Sequence, residues 1–315
     1  MKLIFMGTPQ PAAELLEQLT MTEHELLLVV TQPDRPKGRG RQLSAAPVKQ
    51  MALDHGLSLK QPEKVRGNGL FTSQIKDLQP DVIVVVAYGQ ILPAELIEVP
   101  KYGCINVHAS LLPKYRGAAP IQWALLNGEK ETGLTIMKIN ERLDAGEIIL
   151  QQRVGISETD DAISLSKKLF DKAPELLLKA LQQIETGQAK YLQQAEGRAT
   201  NAPSISKESG EIDWRKSAQQ IHDRIRALVP WPVAHTFFRE KRLKIWRSAV
   251  HVADLETRFK EPGTVVALVK GEGFIVATGQ GHLLIREVQL ADKKRMPAHV
   301  FVHGHDVRIG ETLPN

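Results

Sequence analysis

The run of valine and isoleucine at residues 81–87, DVIVVVA, constrains the fold of this chain more than any other feature. A strand with one face in water alternates apolar and polar side chains. A run this continuous and this rich in β-branched residues is instead typical of a strand covered on both faces. Parallel sheets with helices on both sides bury their strands in this way. The run therefore predicts the interior of an α/β sheet.

Further strand-like segments recur along the first half of the chain, with helical patterns between several of them. The strand candidates are residues 2–6, 26–31, 57–60, 104–108, 134–139 and 148–154. Apolar residues at helical spacing follow Pro9 and recur over residues 46–55 and 159–187. Strands that alternate with helices predict an α/β fold with a doubly wound, mostly parallel sheet.

A second module is predicted in the last third of the chain. Residues 190–206 are rich in Gln, Ala and Ser and lack apolar periodicity, so we interpret them as a linker between domains at residues 1–189 and 207–315. Beyond the linker, one helix is predicted at residues 217–228. Five short strands separated by glycines follow, at residues 236–238, 243–247, 264–269, 274–278 and 283–290. This pattern predicts a smaller C-terminal β-barrel of the OB-like type.

Composition bears on the compartment. The chain is 42% apolar and 24% charged, as is usual for a globular protein with a buried core. No apolar stretch approaches the roughly 20 residues needed to span a bilayer, and the N-terminus lacks the pattern of a signal peptide. A single cysteine, Cys104, suits a reducing compartment. We therefore expect a cytoplasmic protein.

The charge is unevenly distributed between the two modules. Residues 207–315 carry 18 Lys and Arg against 13 Asp and Glu, whereas residues 1–206 carry equal numbers of basic and acidic side chains. A basic module beside a neutral one suggests a polyanionic partner. A basic but merely solvated face is the alternative interpretation.

Polar side chains of the types used in catalysis lie at or near the ends of several predicted strands. Asn106 and His108 alternate along one strand and should project from the same face. Asp144 follows the strand at residues 134–139, and Tyr88–Gln90 ends the strand at residues 81–87. Because ligands bind at the carboxyl ends of strands in open α/β sheets, we expect these side chains to lie close together.

An amide, an imidazole and a carboxylate at one edge suit acyl transfer to an amine. The amide and a protonated imidazole can stabilise negative charge that develops on a carbonyl oxygen. The carboxylate can orient the imidazole and accept the proton that the amine loses. Each residue alone has a structural interpretation, so the assignment depends on the combination.

The combination resembles a known signature. Residues 106–113 read NVHASLLP, residues 115–121 read YRGAAPI, and residues 143–147 read LDAGE, similar to the formyltetrahydrofolate-dependent transformylases. The resemblance implies that Asn106, His108 and Asp144 are catalytic, that 10-formyltetrahydrofolate is the formyl donor, and that no metal is needed. It also implies folate contacts from the loops at residues 88–92 and 143–146 and from one further segment, namely Ser110, Leu111, Leu112 and Pro113.

One loop indicates a branch of this superfamily. The stretch TQPDRPKGRGR at residues 31–41 is similar to the tRNA-contacting loop of methionyl-tRNA formyltransferases. The resemblance implies tRNA contacts from Arg35, Lys37, Arg39 and Arg41, which suit a phosphate backbone. Residues 205–214 and 225–232 resemble the second domain of that family, so initiator Met-tRNA is the expected acceptor and a monomer the expected state.

Four other interpretations remain to be compared. An amino-sugar formyltransferase would share the site but usually lacks the long basic loop. A catalytically idle RNA-binding protein would not need Asn106, His108 and Asp144. A dinucleotide-dependent oxidoreductase would show Gly-x-Gly-x-x-Gly after the first strand, where Gly7-Thr8-Pro9-Gln10 stands instead. A metal enzyme would need more than the His303-Gly304-His305 pair.

Overall fold

The structure is a computed structural model that describes residues 1–37, 42–252 and 261–314. It divides into two compact units. The first comprises residues 1–120, 131–155 and 166–202, and the second comprises residues 121–130, 156–165 and 203–315. None of the helices in the described residues is both long enough and apolar enough to cross a membrane.

A seven-stranded sheet forms the centre of the first unit. The strands of this unit are β1 (Lys2–Gly7), β2 (Glu25–Val30), β3 (Arg35–Lys37), β4 (Gln42–Ser44), β5 (Leu59–Lys60), β6 (Val82–Val86), β7 (Cys104–His108), β8 (Glu131–Lys138) and β9 (Ile148–Gly155). The large sheet has the order β5-β2-β1-β6-β7-β8-β9, and β3 pairs with β4 in a separate ribbon. Strands β5, β2, β1, β6 and β7 are parallel, whereas β8 and β9 are antiparallel. The predicted mostly parallel sheet is thus confirmed.

Burial follows the sequence pattern that predicted the sheet. All five residues of β6 are buried, as its continuous apolar run requires. Cys104 begins β7 and is completely buried, which raises the pKa of its thiol to about 12. The interior strands therefore form a core.

The helices up to residue 185 confirm most of the predicted pattern and correct one element. They are α1 (Gln10–Thr20), α2 (Pro47–Asp54), α3 (Gly69–Asp77), α4 (Ala94–Ile97), α5 (Pro120–Leu126), α6 (Ala162–Phe170) and α7 (Ala173–Glu185). The prediction of one long helix over residues 159–187 is wrong, because α6 and α7 are separated at Asp171 and Lys172. Pro174 lies in the first turn of α7, where its missing N–H is tolerated, but it cannot continue the hydrogen bonding of a preceding helix.

The second unit is built on an antiparallel sheet, as predicted for the C-terminal module. Its elements from residue 218 onward are α8 (Ala218–Ala227), β10 (His235–Phe238), β11 (Lys241–His251), β12 (Val265–Val269), β13 (Gly273–Ala277), β14 (His282–Leu290), β15 (Met296–Pro297) and α9 (Ala298–His305). The strand order is β10-β11-β14-β13-β12, with β15 on β14. Ser217 caps α8 in a reciprocal capping box with Gln220, which fixes the predicted helix start.

One apolar cluster forms the core of the second unit. Trp214, Phe238, Phe274 and Phe301 belong to it and are at most 3% exposed. The ring of Phe301 lies edge-to-face against Phe238, with centroids 5.1 Å apart. Four aromatic side chains thus pack among the Ile, Leu, Val and Ala residues that make up the rest of this core.

Candidate active site

Strand β7 carries the first two side chains of the site. Asn106 pairs in register with Val85 of β6 and Met137 of β8, and His108 lies opposite Thr135. Since side chains two residues apart share a face of a strand, Asn106 and His108 project together. Asn106 is half-buried and His108 is only 5% exposed, so both can be shielded from bulk water.

The imidazole of His108 is fixed by the main chain. Its Nε2 lies 2.9 Å from the carbonyl oxygen of Tyr115. Because a carbonyl only accepts hydrogen bonds, Nε2 carries a proton and donates it there. This leaves Nδ1 as the nitrogen available for chemistry, and Nδ1 faces Asp144 Oδ2 at 3.6 Å.

Asp144 lies beside both side chains. Its Oδ1 accepts a hydrogen bond from Asn106 Nδ2 at 3.3 Å, and its Oδ2 accepts one from the Gly117 amide at 2.8 Å. The side chain is only 12% exposed. The structure therefore brings Asn106, His108 and Asp144 together, as the sequence pattern predicted.

The route by which Asp144 arrives differs from the prediction. Because β8 runs antiparallel to β7, its last residue, Lys138, lies opposite Ile105 and not beside the end of β7. The loop at residues 139–147 then carries Asp144 back to His108. Its close return needs a glycine at 146, since a Cβ there would lie 1.7 Å from the Lys138 carbonyl oxygen. The loop, and not the strand direction, completes the cluster.

The segment from Ser110 to Pro113 is tied to β8. The Thr135 hydroxyl donates to the Ser110 carbonyl at 2.6 Å and accepts from the Leu112 amide at 3.1 Å. Ser110 Oγ donates to the Lys114 carbonyl at 2.6 Å, so its hydroxyl is already engaged within the loop. Leu112 is buried, whereas Leu111 and Pro113 are partly accessible. The segment is therefore rigid and lies directly after His108.

Tyr88 and Gln90 follow β6 at the carboxyl edge of the parallel strands. The Tyr88 carbonyl accepts a hydrogen bond from Thr8 Oγ1 at 2.9 Å, which joins the ends of β1 and β6. Burial raises the pKa of the Tyr88 phenol to about 12, and its hydroxyl has no hydrogen-bond partner among the described residues. The Gln90 side chain is used structurally, because its oxygen accepts from the Val65 amide at 2.9 Å.

The predicted tRNA loop is described only in part. Arg35 begins β3, is exposed, and donates to Gln32 Oε1 at 3.2 Å. The backbone of Lys37 ends β3, whereas Arg39 and Arg41 lie outside the described residues. At the start of the loop, Asp34 pairs with Lys49 at 2.6 Å, and this hydrogen bond is the main reason that the pKa of Asp34 is lowered.

His303 and His305 lie near the end of α9, in the second unit. No group of three or more His, Cys, Asp or Glu side chains that could hold a metal occurs in the part of the chain that the structure describes.

The sequence matches known families over nearly its whole length. A profile described as Formyl transferase matches residues 1–181, and one described as Formyl transferase, C-terminal domain, matches residues 204–306. The methionyl-tRNA formyltransferase of Caldanaerobacter subterraneus subsp. tengcongensis is 45% identical over 313 residues, which cover 99% of this chain and 100% of that protein. The Bacillus subtilis methionyl-tRNA formyltransferase is 46% identical over 316 residues, with 99% and 97% coverage.

This chain belongs to the methionyl-tRNA formyltransferase family.

Solved structures of proteins more distant in sequence share the fold. HypX from Aquifex aeolicus, solved with tetrahydrofolic acid, aligns with a TM-score of 0.66 and 18% identity over 99% of this chain and 48% of that chain. The sugar 3N-formyltransferase WlaRD, solved with dTDP and 5-N-formyl-THF, gives 0.67 and 21% over 93% and 99%. At these identities the likeness extends to the fold, and the methionyl-tRNA formyltransferase relatives are far closer in sequence.

Two side chains beside the trio were missed by the sequence interpretation. Arg116 lies within residues 115–121, part of the signature that resembles the formyltetrahydrofolate-dependent transformylases, but no role was predicted for it. Gln194 lay in the predicted linker, yet only 8% of it is exposed and it contacts both Arg116 and the Asp144 loop. An isolated glutamine in a Gln-rich segment gives no periodic signal by which it could have been found.

Proposed function

We propose that this chain transfers the formyl group of 10-formyltetrahydrofolate to the α-amino group of initiator methionyl-tRNA. The observation that carries the proposal is the cluster of Asn106, His108 and Asp144 in a member of the methionyl-tRNA formyltransferase family. The donor supplies a formyl carbon already activated for attack by an amine. The chain therefore needs no nucleophilic side chain, and Cys104, completely buried, is not suited to be one.

Asn106 and His108 stabilise the charge that develops during attack. Asn106 Nδ2 uses one hydrogen toward Asp144 at 3.3 Å, which leaves its second hydrogen for the formyl oxygen. In the protonated imidazole, His108 Nδ1 is a second donor, because Nε2 is held by the Tyr115 carbonyl. Two fixed donors at a shielded site stabilise negative charge on oxygen more than water does.

Asp144 orients the two donors and receives the proton. Its carboxylate accepts a hydrogen bond from Asn106 and lies 3.6 Å from His108 Nδ1, so it can hold both side chains in place. The attacking amine must lose a proton as the new N–C bond forms, and Asp144 accepts it directly or through water. The bond between the formyl carbon and N10 of the folate then breaks, and tetrahydrofolate leaves with a proton on N10. The folate is held by Ser110–Pro113 and by the loops at residues 88–92 and 143–146.

The acceptor tRNA is held by two basic regions. Arg35, Lys37, Arg39 and Arg41 contact its phosphate backbone near the acceptor end. The C-terminal domain, residues 207–315, adds further contacts, which its excess of positive charge supports. In this proposal the catalytic domain spans residues 1–189, residues 190–206 connect the two domains, and the enzyme is a cytoplasmic monomer.

The direct test is formyl transfer from 10-formyltetrahydrofolate to charged initiator tRNA. A UDP-linked amino-arabinose serves as a parallel acceptor, and Asp144→Asn serves as the site control. We expect formyl-methionyl-tRNA with the wild-type chain, very little with the variant, and no formylated sugar. Formylation of the sugar alone would move the function to the amino-sugar formyltransferases. If Asp144→Asn were as active as the wild-type chain, the assignment of the site would be wrong.

A further inference from the structure

The loop that carries Asp144 is held from outside by Gln194, fifty residues further along the chain. Gln194 Nε2 donates one hydrogen bond to the Asp144 carbonyl at 2.9 Å and another to the Gly146 carbonyl at 2.7 Å. Both hydrogens of the side-chain amide are therefore used on the two carbonyls that flank Ala145. A buried amide with this geometry fixes the path of the main chain through the loop.

The other end of the Gln194 side chain is fixed by Arg116. Gln194 Oε1 accepts from Arg116 Nε at 3.0 Å and from Arg116 Nη2 at 2.8 Å. Only one orientation of the amide is possible, since the reversed one would point its hydrogens at the guanidinium and its oxygen at two carbonyls. Arg116 also pairs with Glu196 at 3.0 Å, and Glu196 contacts Arg142 at the start of the same loop.

These contacts close a ring around Asp144. Arg116 holds Gln194, Gln194 holds the main chain at Asp144, and the amide of Gly117 donates to the Asp144 carboxylate at 2.8 Å. The neighbouring Tyr115 carbonyl holds the His108 imidazole. Residues 115–117 thus fix both members of the His108–Asp144 pair, and Gln194 couples the Asp144 loop to that segment.

The segment at residues 113–119 is itself paired with residues 200–202. The Arg116 amide donates to the Thr200 carbonyl at 2.8 Å, and the Ala202 amide donates to the Arg116 carbonyl at 2.7 Å. The two segments lie so close together that a Cβ on Gly117 would lie 2.6 Å from the Ala202 carbonyl oxygen. Residues 194–202 therefore form a strap over the site, with Gln194 as its most buried polar contact.

Backbone strain at Asp144 explains why such a strap is needed. Asp144 has a φ of +48°, in the left-handed region of backbone conformation that residues other than glycine rarely adopt. A strained residue keeps this conformation only when its surroundings impose it. The hydrogen bonds from Gln194 to both flanking carbonyls impose it here.

We infer that Gln194 is a positioning residue for this reaction, which holds Asp144 at the distance from His108 that transfer requires. This inference rests on the proposed function, in which Asp144 orients His108 and accepts a proton. Gln194 does not touch the reacting atoms, and it acts through the main chain of residues 144–146.

Two variants test the inference. Gln194→Met keeps the length of the side chain but removes all four hydrogen bonds. Gln194→Glu keeps an acceptor for Arg116 but replaces the donor to the Asp144 and Gly146 carbonyls with an oxygen. We expect both to lower kcat by about 10- to 100-fold, the range for a misplaced catalytic group, with KM for both substrates within about threefold. Gln193→Met is the matched control, since Gln193 is exposed and its side chain donates to Glu147 and not to the main chain at Asp144.

A double-substitution cycle separates positioning from general destabilisation. If Gln194 acts through Asp144, then Gln194→Met should add little to the loss already caused by Asp144→Asn, measured in single turnovers with excess enzyme. Losses that multiply in the double variant would overturn the inference. So would wild-type kcat in both Gln194 variants, provided that thermal midpoints show folded protein at the assay temperature.

A crystal structure of Gln194→Met decides the inference independently of the acceptor. We expect the distance from Asp144 Oδ2 to the Gly117 amide to exceed 3.5 Å, and an unchanged Asp144 would overturn the inference. A wild-type chain that failed to formylate Met-tRNA would instead remove the proposed function, while this structural comparison would still be decisive for Gln194.

Discussion

The catalytic edge of the first unit and the core of the second unit are held together in opposite ways. Around Asp144, the contacts are hydrogen bonds between polar side chains and main-chain atoms drawn from residues 106–117, 139–147 and 194–202. Around Phe301, the contacts are aromatic rings and aliphatic side chains that are almost completely buried. The first arrangement fixes direction and distance, whereas the second contributes most through the apolar area it removes from water.

This difference predicts which substitutions should lower activity and which should lower stability. A polar side chain removed from the catalytic edge leaves the hydrophobic core of the sheet intact, so activity should fall more than stability. A ring removed from the second core leaves a cavity, so stability should fall while the chemical step is unchanged. The four predictions below are ordered by the size of the expected effect.

His108→Ala should give the largest effect on activity. Removal of a positioned acid and oxyanion donor is expected to lower kcat by about two to four orders of magnitude. The thermal midpoint should change little, because the imidazole contributes one hydrogen bond to the Tyr115 carbonyl. Single-turnover kinetics and calorimetry on the same preparation make the measurement, with exposed His55→Ala as the control. If His108→Ala lowered the free energy of unfolding by as much as it raised the activation free energy, the distinction between the two regions would be contradicted.

Phe301→Ala should give the largest effect on stability. Loss of a fully buried ring costs about 3–5 kcal/mol of unfolding free energy. At a temperature where the variant is folded, kcat should remain within about twofold of wild type. Urea unfolding and steady-state assays check the two parts, with Val300→Ala on the same helix as the exposed control. A strong decrease in kcat with the fold intact would mean that the second core also governs the chemical step.

Arg39→Ala should weaken use of the tRNA. Loss of one phosphate contact is expected to raise KM for Met-tRNA and to reduce the slope of log affinity against log salt by about one. The KM for 10-formyltetrahydrofolate should not change. Binding assays at several salt concentrations make the comparison with Lys179→Ala, which removes one positive charge from exposed helix surface. Identical tRNA kinetics in the two variants would remove the role proposed for the loop.

The smallest effect is expected on stability at low pH, where Glu196 loses its charge. The hydrogen bond from Arg116, with Arg142 nearby, lowers the pKa of Glu196 below its ordinary value of 4.5. A lowered pKa in the folded chain means that ionised Glu196 stabilises the fold above about pH 4.5. This contribution is lost as the pH falls through the folded-state pKa. Thermal midpoints of wild type and Glu196→Gln should differ slightly at pH 7 and converge below pH 4. Glu141→Gln serves as the control, and a constant difference at all pH values would contradict the assignment.

Local pattern predicted much of the fold, whereas the three side chains of the site were predicted from the combination of residues 106–113, 115–121 and 143–147 and its resemblance to a known family. The apolar run of β6 and the alternation of Asn106 and His108 are each readable within a few residues. The reversal of β8 was not predicted, because strand direction depends on how the chain crosses the sheet. Gln194 was not predicted either, because its contacts join residues about fifty and eighty positions apart and leave no local pattern.

The single cysteine, Cys104, can report on the opening of the strand that contains it, β7. Cys104 lies two residues before Asn106, is inaccessible in the native state, and has a thiol pKa raised to about 12, so alkylating reagents can reach and react with it only when β7 opens. The rate of thiol alkylation under native conditions therefore measures how often the strand that carries Asn106 and His108 separates from its neighbours. Because the sequence holds no second cysteine, that rate is specific to one strand and needs no engineered label.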